Sequence, residues 1–415
     1  MIILSILQAT WLAPTLSYSP ATPSKLPCWN QVQGRGQNDG YARTASVSPP
    51  LSVKWISTAF SNTAPAPFGK RVYSMSDSGL TAIDEDTGSV VWQYPAGGTN
   101  NVASPACETI NGITRIYFTT AAPSYGEIHC VDDLGSAPAA VWTRVLDGAA
   151  AVDVTLARHQ LYITLGWAHG GSPGIRVGAF STADGATVWM HDFGYGDTFV
   201  KHAVHPQSGA LFVLTNYGLY AFDAQGNQLW RNAYIGGISS FSLDFKTNRL
   251  YGIRGDYDAS LVCVDALSGA LLWDSYNVNG FRSSNPFYLE NVTPALANGL
   301  VYVCSSYASY IEPYVAAFDP QTGIVVWRTI LPRDPSISVS DLMLIGCPLV
   351  TQNGLLWSSA NNGVFFCLDA LTGAFLWRGD TGMPWDARNT PWAFGIQDKA
   401  LYWMSNSYYV LKLAP

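Results

Sequence analysis

The stretch Ala82-Ile83-Asp84-Glu85-Asp86-Thr87-Gly88-Ser89-Val90-Val91-Trp92 decides the fold, because the chain writes it again and again. The same eleven-residue frame returns at Cys263–Trp273, Ala317–Trp327 and Cys367–Trp377. Ala179–Trp189 keeps it with Ser181 in the Asp place and Asp184 in the Thr place, Ala221–Trp230 is one residue shorter, and Cys130–Trp142 is two longer. Small, β-branched and aromatic residues alternate before the Asp, Thr/Ser-Gly closes a tight turn, and three mostly apolar residues lead to the Trp. That is strand, turn, strand. Seven copies of one hairpin make a repeat architecture.

Working outward, a second strand recurs before each hairpin: Arg71–Met75, Arg115–Thr119, Gln160–Thr164, Ala210–Leu214, Arg249–Ile253, Leu300–Cys304 and Leu355–Ser358. A further one precedes it, often opened by proline, as at Pro105, Pro294, Pro348 and Pro391; a proline at a strand's first residue costs no ladder bond. Leu51–Trp55 reads as an outer strand with no hairpin before it, while Ala400–Met404 and Tyr409–Leu413 are two strands with no Trp strand after them. The deficits match. Counting Trp55 with Trp92, Trp142, Trp189, Trp230, Trp273, Trp327 and Trp377 gives eight outer strands at a mean spacing of 46 residues. The expected fold is all-β: an eight-bladed β-propeller of four-stranded antiparallel blades, the ring closed by an N-terminal outer strand that leaves no open sheet edge. Inserts before the hairpins, such as Ala121–Gly126 and Trp167–Gly174, read as loops on one face.

Composition agrees with one closed β body over residues 52–415. Of 415 residues only 12% are charged and 13% are aromatic, with 15 Trp and 38 Gly. That is too apolar for disorder, and no uninterrupted apolar run is long enough for a bilayer. Net charge is −7 with scattered Lys and Arg, which argues against nucleic acid, since phosphate neutralisation needs a basic stripe. Residues 1–21 read as a signal peptide, apolar then small, without an N-terminal Lys or Arg; the expectation is a secreted, extracellular, lumenal or periplasmic monomer. Residues 22–51, rich in Pro, Gly, Ser and Asn, read as an extended lead-in crossing the body. Seven cysteines leave at least one unpaired. Cys130, Cys263 and Cys367 sit where other repeats carry Ala, as small buried residues, so any disulfide is expected among Cys28, Cys107, Cys304 and Cys347.

The pattern small-x-Asp-x-x-Thr-Gly-x-x-x-Trp resembles the repeat of pyrroloquinoline-quinone (PQQ)-type β-propellers over residues 52–415. Trp29–Gly40 resembles the segment that precedes the first blade in secreted and periplasmic members. The resemblance implies that Trp55, Trp92, Trp142, Trp189, Trp230, Trp273, Trp327 and Trp377 each dock between blades and pack on the neighbouring blade's turn. It implies no single activity, because the superfamily holds alcohol and glucose dehydrogenases as well as scaffold proteins of outer-membrane assembly. The dehydrogenases run longer and hold quinone and calcium with a vicinal Cys-Cys; this chain has no such pair and no C-x-x-C-H haem site.

Chemistry-bearing motifs are sparse. No metal set is expected: the six His do not cluster, and His202 and His205, read on one inner strand, point to opposite faces at odd spacing. No H-E-x-x-H or Walker loop occurs. Asp84, Asp132, Asp223, Asp265, Asp319 and Asp369 fall one per hairpin and read as turn caps. Where inner strands begin, at the mouth of a funnel, stand Asn101, Asp153, Lys201, Arg282, Asp341, Asp386 and Arg388, with Phe281, Trp385 and Trp392 nearby; these are the ligand-funnel candidates. Asn291-Val292-Thr293 is a glycosylation sequon at a crowded position. The functional expectation is a non-catalytic binding or scaffold module for a protein, peptide or glycan partner, with no cofactor and no catalytic residues. The rival is a compact quinoprotein alcohol or sugar dehydrogenase using PQQ and calcium.

Overall fold

The computed structural model describes residues 40–415 apart from 62, 97–102, 122–124, 148–149, 170–171, 196–200, 216, 234–237, 255–259, 276–292, 306–312, 333–346, 361–362, 383–393 and 405–408. Residues 1–21, Cys28 and Trp29 lie outside the described residues.

Eight antiparallel sheets form the ring. Blade 1 runs Ala66–Phe68, Arg71–Ser76, Gly79–Asp84 and Val90–Pro95 from inner to outer strand. Blades 2 to 7 repeat this order up to Phe375–Asp380, the outer strand of blade 7. Blade 8 takes Gly395–Gln397, Ala400–Met404 and Tyr409–Ala414 from the C-terminal end and its outer strand, Ser52–Phe60, from the other end of the chain. Trp55 pairs with Lys412 and Ser52 with Ala414, so the two ends close the ring in antiparallel register. The middle strands are covered on both faces by neighbouring blades and read as continuous apolar runs: Gly218–Phe222 is buried at every position. Outer strands alternate instead, as Val325–Ile330 does between half-buried and exposed.

Register explains the small residue of each repeat. Ala82 lies opposite Trp92, Cys130 opposite Trp142, Ala179 opposite Trp189, Ala221 opposite Trp230, Cys263 opposite Trp273, Ala317 opposite Trp327 and Cys367 opposite Trp377. Only a short side chain leaves the cross-strand partner's indole free to leave its own sheet. A register shift follows the small residue in all seven hairpins, as between Ala82 and Ile83, bending the outer strand and adding twist.

Two expectations are corrected, the loops of the inserts and the strand of His205. Ala121–Gly126 and Trp167–Gly174 are not loops at their ends: pairing runs out to Ala121↔Gly126 in blade 2 and to His169↔Ser172 in blade 3, so these inserts are lengthened hairpins. Cys107, Cys304 and Cys347 are buried thiols outside any disulfide, and burial holds the Cys107 thiol well above its ordinary range. His205 lies just past the inner strand Lys201–Val204 of blade 4 rather than in it.

The lead-in is built into the ring. Tyr41–Ala42 pairs in parallel with Val350–Thr351 on the channel side of blade 7's inner strand, Leu349–Thr351, as a fifth strand. Val350 N–H donates to Gly40 O (2.9 Å), Gln352 N–H to Ala45 O (2.9 Å) and Ser46 N–H to Asp398 O (2.8 Å), while Asn353 Nδ2 donates to Val47 O (3.1 Å). Ala42, Ala45 and Val47 are wholly buried in the cluster that also holds Trp357 and Trp403.

Candidate functional site

The recurrent unit of the molecule is a contact between blades. The indole N–H of six outer-strand Trp residues donates to a carbonyl in the hairpin turn of the next blade: Trp55 to Glu85 O (3.0 Å), Trp142 to Thr182 O (3.1 Å), Trp189 to Ala224 O (3.1 Å), Trp230 to Ala266 O (3.0 Å), Trp273 to Pro320 O (3.1 Å) and Trp327 to Ala370 O (3.1 Å). The ring then lies on the turn's glycine. A Cβ on Gly323, whose φ is +72°, would stand 2.6 Å from Trp273, so the turn needs glycine both for its conformation and for the approach. The Asp of the frame fastens the turn: Asp369 Oδ1 accepts from Thr372 N–H (2.8 Å) and Thr372 Oγ1–H (2.8 Å), and these bonds hold its carboxyl below the usual range. In blade 2 the turn is longer and the roles move. Asp132 pairs with Arg115 at 2.7 Å, while Asp133 accepts from both Gly135 N–H (2.8 Å) and the Trp92 indole (3.0 Å).

A second aromatic, absent from the sequence reading, completes the contact. Tyr73, Tyr117, Tyr162, Tyr251, Tyr302 and Tyr402 occupy one place on the second strands, with Phe212 and Trp357 in the other two blades. Each packs on its blade's Trp, Tyr251 tilted on Trp273 at 6.0 Å, Phe212 tilted on Trp230 at 6.0 Å and Trp357 edge-on to Trp377 at 5.9 Å. Tyr73 donates to Asp133 Oδ2 (2.7 Å), Tyr251 to Pro320 O (3.3 Å) and Tyr402 to the Glu85 carboxylate, each on the next blade. Trp357 and Trp377 face blade 8, whose third and outer strands are the two ends of the chain and share no turn.

Of the funnel candidates, the structure describes two. Lys201 opens the inner strand of blade 4, half-buried and paired with Leu214. Asp153 stands in blade 3's inner strand, Ala150–Ala157, opposite Thr164. Asn101, Arg282, Asp341, Asp386 and Arg388, with Phe281, Trp385, Trp392 and the sequon Asn291, lie outside the described residues. Among the described residues no three His, Cys, Asp or Glu side chains converge as a metal-ligand set.

Three of the described histidines are held by hydrogen bonds to neighbouring groups. His202 bonds Thr164 Oγ1 (2.8 Å) on the neighbouring blade. His205 Nδ1 accepts from Gln207 N–H and Ser208 N–H, both 3.2 Å, the service an Asp gives other turns. His129 lies between Thr120 (3.2 Å) and Thr143 (3.3 Å), stacked on Phe118 at 4.7 Å, and burial pushes its pKa down to about 4.

Blades of this kind, ringed and docked by tryptophan on turn, define a PQQ-like β-propeller. Residues 174–388, a little over half of the chain, match the model of the family described as outer membrane protein assembly factor BamB, and the chain belongs to that family. It is similar to a polyvinylalcohol dehydrogenase from a Pseudomonas species, 27% identical over 255 residues. That match covers 50% of this chain but only 37% of the dehydrogenase. Among solved structures, BamB from Moraxella catarrhalis superposes with a TM-score of 0.61 at 15% identity, over 88% of this chain and 100% of that one. A quinohemoprotein alcohol dehydrogenase from Pseudomonas putida HK5 gives 0.64 at 13% identity, over 94% and 80%. At such identities these two likenesses concern the fold alone. No helix among the described residues is long and apolar enough to cross a membrane.

Proposed function

We propose that the chain is a secreted binding or scaffold module that offers the surface of a rigid ring to a protein, peptide or glycan partner. The observation that carries this reading is the lead-in: Tyr41–Ala42 takes up the channel-side edge of blade 7 and is held there by backbone bonds from Val350 and Gln352. A chain that puts its own strand against the inner ring directs recognition to its loops, turns and rim. Membership of the assembly-factor family points the same way.

The second reading, a compact quinoprotein dehydrogenase, is favoured by the 27% identity to polyvinylalcohol dehydrogenase. PQQ with calcium would there supply the oxidising chemistry, and the funnel candidates, Asp341, Asp386 and Arg388 among them, are the side chains that would be asked to hold it. Titrating full-length protein with PQQ and calcium, followed by melting temperature and by dye-linked oxidation of alcohols and sugars, separates the two. The binding reading expects neither a thermal shift nor turnover. Saturable uptake with turnover that Arg388→Ala abolishes would replace it with the dehydrogenase reading.

A further inference from the structure

We propose that the groove between blades 4 and 5, on the face of the ring that carries the repeat turns, is a docking site for an acidic, leucine-rich peptide segment. This rests on the binding-module reading and names its surface and the chemistry of its partner. Three departures from the repeat border this one groove. Blade 4 has the shortened frame: Gly226 N–H closes back on Asp223 O at 3.0 Å, three residues away, where Gly269 in blade 5 reaches four residues back to Asp265 O. Blade 4 also carries Phe212 where six blades carry Tyr, so the ring that stacks on Trp230 has no hydroxyl to send to the next blade. And His205 caps the turn after the inner strand. A smaller turn and a missing hydroxyl leave space, and a cavity of about 660 Å³ opens there. That is within the roughly 300–1,000 Å³ of ordinary ligand sites.

Its chemistry is two-sided. Phe212 and Phe245 line it, and Leu229 and Leu267 stand beside them 56% and 72% exposed. Leucines so bare at a cavity's edge are ready to cover an apolar side chain. Arg158 and Lys246, both exposed, supply positive charge at the rim. The nearby carboxylate, Asp223, is turned to its own hairpin: Oδ1 accepts from Gln225 N–H (2.9 Å) and Asn227 N–H (2.8 Å), and Oδ2 from Asn227 Nδ2 (2.9 Å). His205 accepts through Nδ1, so its neutral ring carries the proton on Nε2, a further donor. In a chain of net charge −7, a groove with two rim cations and apolar walls selects a partner with acidic groups next to large aliphatic ones.

The test uses full-length protein and a fluorescein-labelled hexapeptide of alternating leucine and glutamate, read by anisotropy, with the leucine–lysine hexapeptide as its opposite. The expected result is saturable binding of the acidic peptide only, weakened about tenfold or more by Lys246→Glu and by Leu267→Asp; such losses are ordinary for removing a rim charge or an apolar anchor. Both side chains are exposed, so both variants should melt with the parent protein. Binding that neither substitution alters would overturn the groove while leaving the molecule a binding module. No binding at millimolar peptide would also overturn it, and the quinone and calcium titration would still decide between the two readings of the whole chain.

Discussion

Two interfaces built from the same repeat, blade 8 on blade 1 and blade 4 on blade 5, have gone opposite ways. At the first, three groups converge on Glu85: the Trp55 indole (3.0 Å) and Lys412 Nζ (3.0 Å) donate to its carbonyl, and Lys412 (2.5 Å) and Tyr402 donate to its carboxylate. Burial alone would raise the Glu85 pKa, but the bonds from Lys412 and Tyr402 hold it below the usual range. At the second, the tryptophan contact survives, since Trp230 still reaches Ala266 O and Asn232 Nδ2 donates to Gly269 O (2.6 Å), yet the tyrosine hydroxyl is gone. The difference follows from connectivity. Blade 8 joins the two ends of the chain, so the ring is kept shut by non-covalent contacts: the strand pairing inside blade 8, the backbone bonds of the lead-in to blades 7 and 8, and side chains. Blades 4 and 5 are consecutive in the chain, and a loosened contact between them costs stability but not closure.

The sharpest way to break this comparison is to make one substitution at both places. Trp55→Ala should cost about 3–5 kcal/mol, the range for a large aromatic lost from a packed site, and Trp230→Ala clearly less, both read by denaturant unfolding. Equal losses would mean that the closure is no stronger than any other contact. Next in size is a pH effect away from both interfaces. The buried His129 ring has its folded-state pKa lowered to about 4 from 6.5. Its contribution is therefore complete above pH 6.5 and lost as pH falls toward 4, a change of about 3 kcal/mol. His129→Gln should remove that part of the acid limb of the stability curve. Gly323→Ala should cost about 1–3 kcal/mol, because the new methyl meets Trp273 and the turn keeps a positive φ. Smallest, and opposite in sign, Phe212→Tyr should gain about 1 kcal/mol by restoring a hydroxyl between blades 4 and 5.

The ring was legible because its signal is repeated and local. Asp, Thr-Gly and Trp keep a fixed spacing within one hairpin, and the unmatched strands at the two ends announce how the circle closes. The tyrosines escaped notice for a physical reason. Tyr73 stands nine residues before Ala82, but Tyr162 stands seventeen before Ala179, because the hairpins joining second and third strands differ in length. Alignment on the Asp-Thr-Gly frame therefore scatters an aromatic that the sheet register brings back to one place. The groove was hidden differently. The shortened frame at Ala221–Trp230 was plain in the sequence, but a short turn becomes a cavity only through what the next blade leaves unfilled. The funnel candidates other than Asp153 and Lys201 lie outside the described residues.

The most direct test of where this molecule meets its partner is amide hydrogen exchange on the full-length chain with and without the leucine–glutamate hexapeptide. The account predicts new protection over residues 205–210, 223–229, 245–248 and 266–267, the turns bordering the groove between blades 4 and 5. Protection confined to the strands around Glu85, or to the connections on the opposite face, would contradict it.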